Sequence, residues 1–159
     1  MPTITKTNSK NHDFIELVRQ LDAYLTITDG DEHDFYDQFN KIADIKYAIV
    51  LYEGDEPIGC GAIKTFEPGV MEVKRMYVSP GHRNKGYASL ILSELEKWAL
   101  ELSSTKCILE TGKRQIEAVQ FYKRCGYKVI PNYGQYADVE NSVCYEKVLS
   151  IKFYPNESL

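Results

Sequence analysis

The chain has 159 residues, a 43% apolar fraction and a formal charge of −4, which suits a single domain (1–150, with 151–159 as a short tail) able to bury a core. An acidic balance argues against a general grip on nucleic acid, the polar N-terminus carries no secretory segment, and no apolar run reaches membrane-spanning length, so the default expectation is cytoplasmic. Four cysteines, Cys60, Cys107, Cys125 and Cys144, lack Cys-x-x-Cys spacing or a partnered histidine cluster, so reduced cysteines in or near the core are expected rather than disulfides or a metal site.

In chain order, Thr3–Thr7 is compatible with a first strand. Asn11 or Asp13 then caps a helix whose apolar face is Phe14, Leu17, Val18, Leu21 and Leu25. Thr28-Asp29-Gly30-Asp31 is read as an interruption, and a shorter helix is predicted over Glu32–Ile42. Ile45–Tyr52 and Ile58–Phe66 read as strands joined by Glu53-Gly54-Asp55-Glu56-Pro57, an antiparallel hairpin. Glu67-Pro68-Gly69 turns the chain into a third consecutive strand, Val70–Val78.

After Ser79-Pro80-Gly81 breaks that strand, Ala88, Ile91, Leu92, Leu95, Trp98, Ala99 and Leu102 recur at helical steps, predicting a long helix over about Lys85–Ser103 opened by Arg83-Asn84-Lys85-Gly86-Tyr87-Ala88. A helix start offers unpaired N–H groups and a partial positive charge. Gly86 admits a close ligand, Ala88 adds little bulk, and His82, Arg83 and Lys85 add cationic character. The stretch reads as a diphosphate cradle. Beyond it come a strand at Lys106–Thr111, a helix at Gln115–Cys125 stopped by Gly126, a short strand at Tyr127–Ile130, a Tyr-rich loop and a last strand at Ser142–Leu149.

The segment Arg83-x-x-Gly86-x-Ala88, preceded by a strand ending Val78-Ser79-Pro80, resembles the first signature of the GNAT superfamily of acetyl-coenzyme A-dependent N-acyltransferases. A second signature is similar at Glu110-Thr111 followed by Gln115-x-x-Ala118-x-x-Phe121-Tyr122-x-x-x-Gly126-Tyr127. Ala88 replaces the commoner Gly, and Gln115 stands where relatives commonly carry Asn. The resemblance runs from about residue 3 to 149. It implies a mixed α+β fold: a mostly antiparallel sheet of six to seven strands, a parallel fourth and fifth pair splayed around the carrier, and about four flanking helices.

The resemblance also implies roles. Met76, Tyr77 and Val78 would carry the pantetheine arm, with the Met76 amide polarising the acetyl carbonyl. Arg83, Asn84, Lys85, Gly86, Tyr87, Ala88 and Ser89 would hold the diphosphate chiefly by main-chain donors, Gln115 would bond the cofactor arm, and Arg114, Lys123 and Arg124 could meet the outlying phosphate. Tyr122 corresponds to the acid that protonates the leaving thiolate, and Glu72 to the general base of some members. Asp29, Asp31, Glu32, His33 and Tyr36, with Tyr133 and Tyr136 in the loop before the last strand, are candidates to line the acceptor site. Glu72 could instead be a solvated charge paired with Lys64 or Lys74.

The expected function is therefore acetyl transfer from acetyl-coenzyme A to a primary amine, a small molecule before a protein, by direct attack in a ternary complex and without a metal. The alternatives are a protein lysine or N-terminal acetyltransferase and a non-catalytic coenzyme A sensor. Nucleic acid and membrane are not expected partners, and a homodimer is common among relatives.

Overall fold

The computed structural model describes residues 1–29 and 45–150. The predicted helix over Glu32–Ile42 and the tail at 151–159 lie outside the described residues. Seven strands form one mixed sheet: β1 (Pro2–Thr7), β2 (Tyr47–Glu53), β3 (Glu56–Glu67), β4 (Val70–Val78), β5 (Lys106–Gly112), β6 (Lys128–Ile130) and β7 (Ser142–Val148). Their order across the sheet is β1-β2-β3-β4-β5-β7-β6. Three α-helices, α1 (His12–Asp29), α2 (Tyr87–Glu101) and α3 (Ile116–Arg124), stand among the described residues where about four were expected. None of these helices is long and apolar enough to cross a membrane.

The backbone clusters into two compact units. One comprises Met1–Lys64 and Val73–Leu95, the other Thr65–Glu72 and the chain from Glu96 onward. In the first unit β1, β2 and β3 are antiparallel. Asn11 caps α1, its Oδ1 accepting the Phe14 N–H at 2.9 Å, which satisfies one orphan donor of the first turn. The predicted apolar face then lands as expected. Phe14, Leu17, Val18 and Leu21 are buried with Ala48, Val50, Cys60, Ala62 and Tyr77, and Leu25 packs against them. Of the predicted interruption, Thr28 and Asp29 belong to α1, and Gly30 and Asp31 lie outside the described residues.

In the second unit β5 pairs antiparallel with β7, and β7 with β6. Of the nine residues of β4, the parallel register takes in Val70, Met71 and Glu72, facing Lys106, Cys107 and Ile108. A buried polar network marks this unit: Glu96, 2% exposed, accepts the Tyr127 hydroxyl at 2.8 Å and the Lys147 ammonium at 3.0 Å.

Two boundaries of α2 differ from the sequence pattern for a conformational reason. Asn84 and Gly86 both have positive φ, +64° and +83°, so the helix begins at Tyr87 rather than Lys85. Ser103 at φ +67° ends it after Glu101.

Candidate functional site

The first unit contains the segment read as a diphosphate cradle. Strand β4 ends at Val78, Pro80–His82 form a single 3₁₀ turn, and two left-handed residues follow before the helix. The Gly86 carbonyl accepts the Leu90 N–H at 3.1 Å, so Gly86 is the N-cap. The amides of Tyr87, Ala88 and Ser89 are thus first-turn donors, which have no partner inside a helix. Gly86 brings no side chain to occupy them, and no acidic residue sits in the first turn to offset the helix dipole. A Cβ built on Gly86 would meet nothing within 4 Å. Open space, left-handed backbone and an uncapped helix start are features that suit a phosphate.

The side chains around it divide the work. Lys85 is exposed at the mouth. Arg83 is not directed outward: its Nε donates to the Val78 carbonyl at 2.8 Å, and its guanidinium carbon lies 5.6 Å from the Tyr24 ring centre and 5.7 Å from that of Tyr77. Tyr87 donates its hydroxyl to the Glu53 carboxylate, a bond that draws the Glu53 carboxyl below its usual range and pushes the Tyr87 phenol up.

Strand β4 itself contains a local irregularity. Arg75 adopts φ +59°, a conformation costing a residue with a Cβ about 1 kcal/mol or more. A left-handed residue here interrupts the strict side-to-side alternation of the strand. Beyond Arg75 the alternation resumes. The Tyr77 side chain joins the α1 core, whereas Met76 Sδ lies 2.7 Å from a Cβ position on Gly61 and Val78 Cγ2 lies 3.4 Å from one on Gly59. The Ser79 N–H bonds Ile58 of β3 at 2.9 Å. By the two-residue repeat of a strand, the Met76 and Val78 amides point along the opposite edge.

In the second unit the predicted residues converge. Glu72, only 7% exposed, accepts the Tyr133 hydroxyl at 2.6 Å. Tyr133 is clamped edge-on by Phe66, 5.1 Å between ring centres, and by Tyr136 at 5.8 Å. Asn132 holds the base of this loop through bonds to the carbonyls of Val139 (3.1 Å) and Ser142 (2.9 Å). Burial raises the Tyr133 phenol far above its ordinary range, with the Glu72 charge adding to the effect. Tyr136 is raised by burial and then by Glu110 and Glu72. Glu110 in turn accepts the Ser142 hydroxyl at 2.7 Å. Sequence reasoning left Ser142 out of the site and used Glu110 only as a motif residue; the antiparallel register opposing Glu110 to Cys144 and Gly112 to Ser142 brings them together.

Tyr122 sits on α3, buried beside Phe121 (5.1 Å), Tyr127 (5.8 Å) and Tyr145 (6.2 Å). Burial holds its phenol well above the ordinary value. Gln115 is the N-cap of α3, and its side chain makes no capping bond. Arg114, Lys123 and Arg124 are exposed. Asp29 closes α1 by its backbone, while Asp31, Glu32, His33 and Tyr36 lie outside the described residues.

With this geometry in hand, comparison with known proteins is informative. Residues 14–127 match the sequence profile of the acetyltransferase (GNAT) family. IAA acetyltransferase of Azospirillum brasilense is 29% identical over 150 residues, covering 92% of this chain and 97% of that protein. The uncharacterized N-acetyltransferase YjcF of Bacillus subtilis is 35% identical over 82 residues, 52% of this chain and 56% of the length of that relative. Among solved structures, a Klebsiella pneumoniae protein assigned as an acyl-CoA N-acyltransferase superposes with a TM-score of 0.80 at 31% identity, covering 94% of this chain and 99% of that one.

Proposed function

The chain belongs to the acetyltransferase (GNAT) family, and from that premise we propose that it transfers an acetyl group from acetyl-coenzyme A to a small primary amine by direct attack. The observation that carries this reading is the cradle, where Asn84 and Gly86 in left-handed conformation lead into a helix with no acidic first turn. A diphosphate received there would take main-chain donors from Tyr87, Ala88 and Ser89, with Lys85 adding charge.

Chemistry needs a free amine lone pair, donors for the oxyanion and a proton for the leaving sulfur. Glu72 takes a proton from the acceptor ammonium, its carboxylate oriented by the Tyr133 hydroxyl. The amine attacks the acetyl carbon, and the Met76 N–H receives the developing oxyanion. As the tetrahedral intermediate collapses, the attacking nitrogen gives its second proton to solvent and the C–S bond breaks, the thiolate taking the Tyr122 proton, which burial keeps on the phenol at neutral pH; Glu72 then releases its proton to solvent and Tyr122 regains one from it. The two carboxylates and two phenols of Glu72, Glu110, Tyr133 and Tyr136 favour a cationic acceptor of modest size. No step requires a covalent acetyl-enzyme. Buried Cys60 and Cys107, raised to about 12, and Cys144, raised to about 11, are all poor nucleophiles at neutral pH.

The test is to follow thiol release from acetyl-coenzyme A across a panel of polyamines, aryl amines, amino acids and lysine peptides. Release with a small amine supports the proposal. Carrier binding without release beyond background, or release with peptides alone, refutes it.

A further inference from the structure

Arg75 is left-handed inside a strand without being glycine, so something must hold it there. Two contacts, both in the first unit, do so. Its Nη1 donates to Asp22 Oδ1 of α1 at 2.8 Å, the Arg75 side chain being 4% exposed and that of Asp22 36%. Its carbonyl accepts the Cys60 thiol of β3 at 3.3 Å. Burial keeps that thiol protonated and able to donate. The contacts grip the residue from both ends, the side chain from the helix and the carbonyl from the neighbouring strand.

We infer that Asp22 and Arg75 are positioning residues: their ion pair locks the irregularity of β4 that aims the adjacent Met76 amide at the acetyl carbonyl. This rests on the reading that Met76 supplies an oxyanion donor. The Arg75 carbonyl is part of the same peptide plane as the Met76 N–H, so the torsions of Arg75 fix the direction of that donor. Misplacing a donor by a fraction of its bond length affects the transition state more than the ground state. The ion pair therefore acts on turnover through the backbone, without touching substrate.

The substitutions separate this from a merely structural role. Arg75→Ala keeps a Cβ and loses the clamp, whereas Arg75→Gly loses the clamp but takes positive φ freely. Asp22→Asn removes the charge from the more exposed partner, where misfolding is least expected. The first readout needs no ligand: the three-bond amide–Hα coupling at residue 75 and the Met76 amide cross-peak in a heteronuclear NMR spectrum. In D22N and R75A both should move, and kcat should fall about 10- to 100-fold while KM for acetyl-coenzyme A stays within about threefold. R75G should return the Met76 cross-peak toward its wild-type position and recover turnover about tenfold relative to R75A. Wild-type spectra and turnover in D22N and R75A would overturn the inference. So would an R75G no more active than R75A, or a displaced Met76 amide with normal turnover. A wild-type protein inert toward acetyl-coenzyme A and amines would instead sink the transfer reading, and the spectra alone would then judge the clamp.

Discussion

Gly86 offers the sharpest test of the cradle because the structure supplies its own control. Gly86 and Gly54 have similar positive φ, +83° and +62°, and a Cβ on either meets nothing within 4 Å. Replacing either with Trp therefore incurs the same left-handed penalty, about 1–2 kcal/mol, with no clash at its Cβ. For a domain of this size that corresponds to a melting temperature lower by about 2–8 °C in both variants. The difference lies in what the space is for. At Gly86 the indole would cover the first-turn amides of α2, and losing even one charge-assisted hydrogen bond costs about 1.5–3 kcal/mol, or roughly ten- to hundredfold in Kd. At Gly54, in the β2–β3 turn, it would cover nothing used by the carrier. Calorimetric titration with coenzyme A and acetyl-coenzyme A, beside melting curves, reads both quantities. Equal melting losses with weakened binding only in G86W are expected. Wild-type Kd in G86W, or equal losses of affinity in the two variants, would refute the cradle.

Other outcomes follow from single contacts. Tyr122→Phe should lower kcat about a hundredfold with the carrier Kd unchanged, and wild-type turnover would remove it as the acid. Tyr133→Phe deletes the donor that orients the Glu72 carboxylate and should lower kcat about tenfold, and Glu72→Gln should lower it about a hundredfold; wild-type turnover in both would take Glu72 out of the reaction. Glu96→Ala leaves the Lys147 ammonium without its buried carboxylate and should cost about 3–5 kcal/mol in urea unfolding; a loss below about 1 kcal/mol would mean that solvent reaches Lys147. The Cys60 thiol and Tyr52 phenol are both raised to about 12, each chiefly by burial. The unfolded chain therefore ionises first, and stability present below about pH 9 should be lost as pH rises toward 12. Cys60→Ala should flatten the decline of melting temperature over that window, and an unchanged slope would contradict it.

The local pattern disclosed most of the fold. Turn residues Pro68-Gly69 and Ser79-Pro80 bracket β4 at the predicted ends, and the Asn11 cap and 3.6-residue spacing found the buried face of α1. Contacts distant in sequence were not legible in the same way. Glu96 carries no mark of burial, because the groups that satisfy it are 31 and 51 residues away. Tyr133 and Glu72 were each named for the site, but the bond between them joins residues 61 apart and depends on a loop folded by Asn132. Arg75 was opaque for another reason: an arginine gives no sign of positive φ, which a glycine would have signalled.

Arg83 shows that a residue of the signature can also serve the fold that carries it. Its place in Arg83-x-x-Gly86-x-Ala88 suggests a cation for the phosphates; its Nε donor is used on the Val78 carbonyl, and its guanidinium lies by Tyr24 and Tyr77. That carbonyl is the last of β4, so the guanidinium ties the strand end, the loop and α1 together. A lysine could neutralise a phosphate equally well, but it lacks the planar fork for bonding a carbonyl while stacking on rings. An arginine in this position thus makes physical sense as a brace. If the diphosphate is held as proposed, chiefly by the backbone of residues 84–89, side-chain change there should be tolerated wherever the two positive φ values at Asn84 and Gly86 are kept.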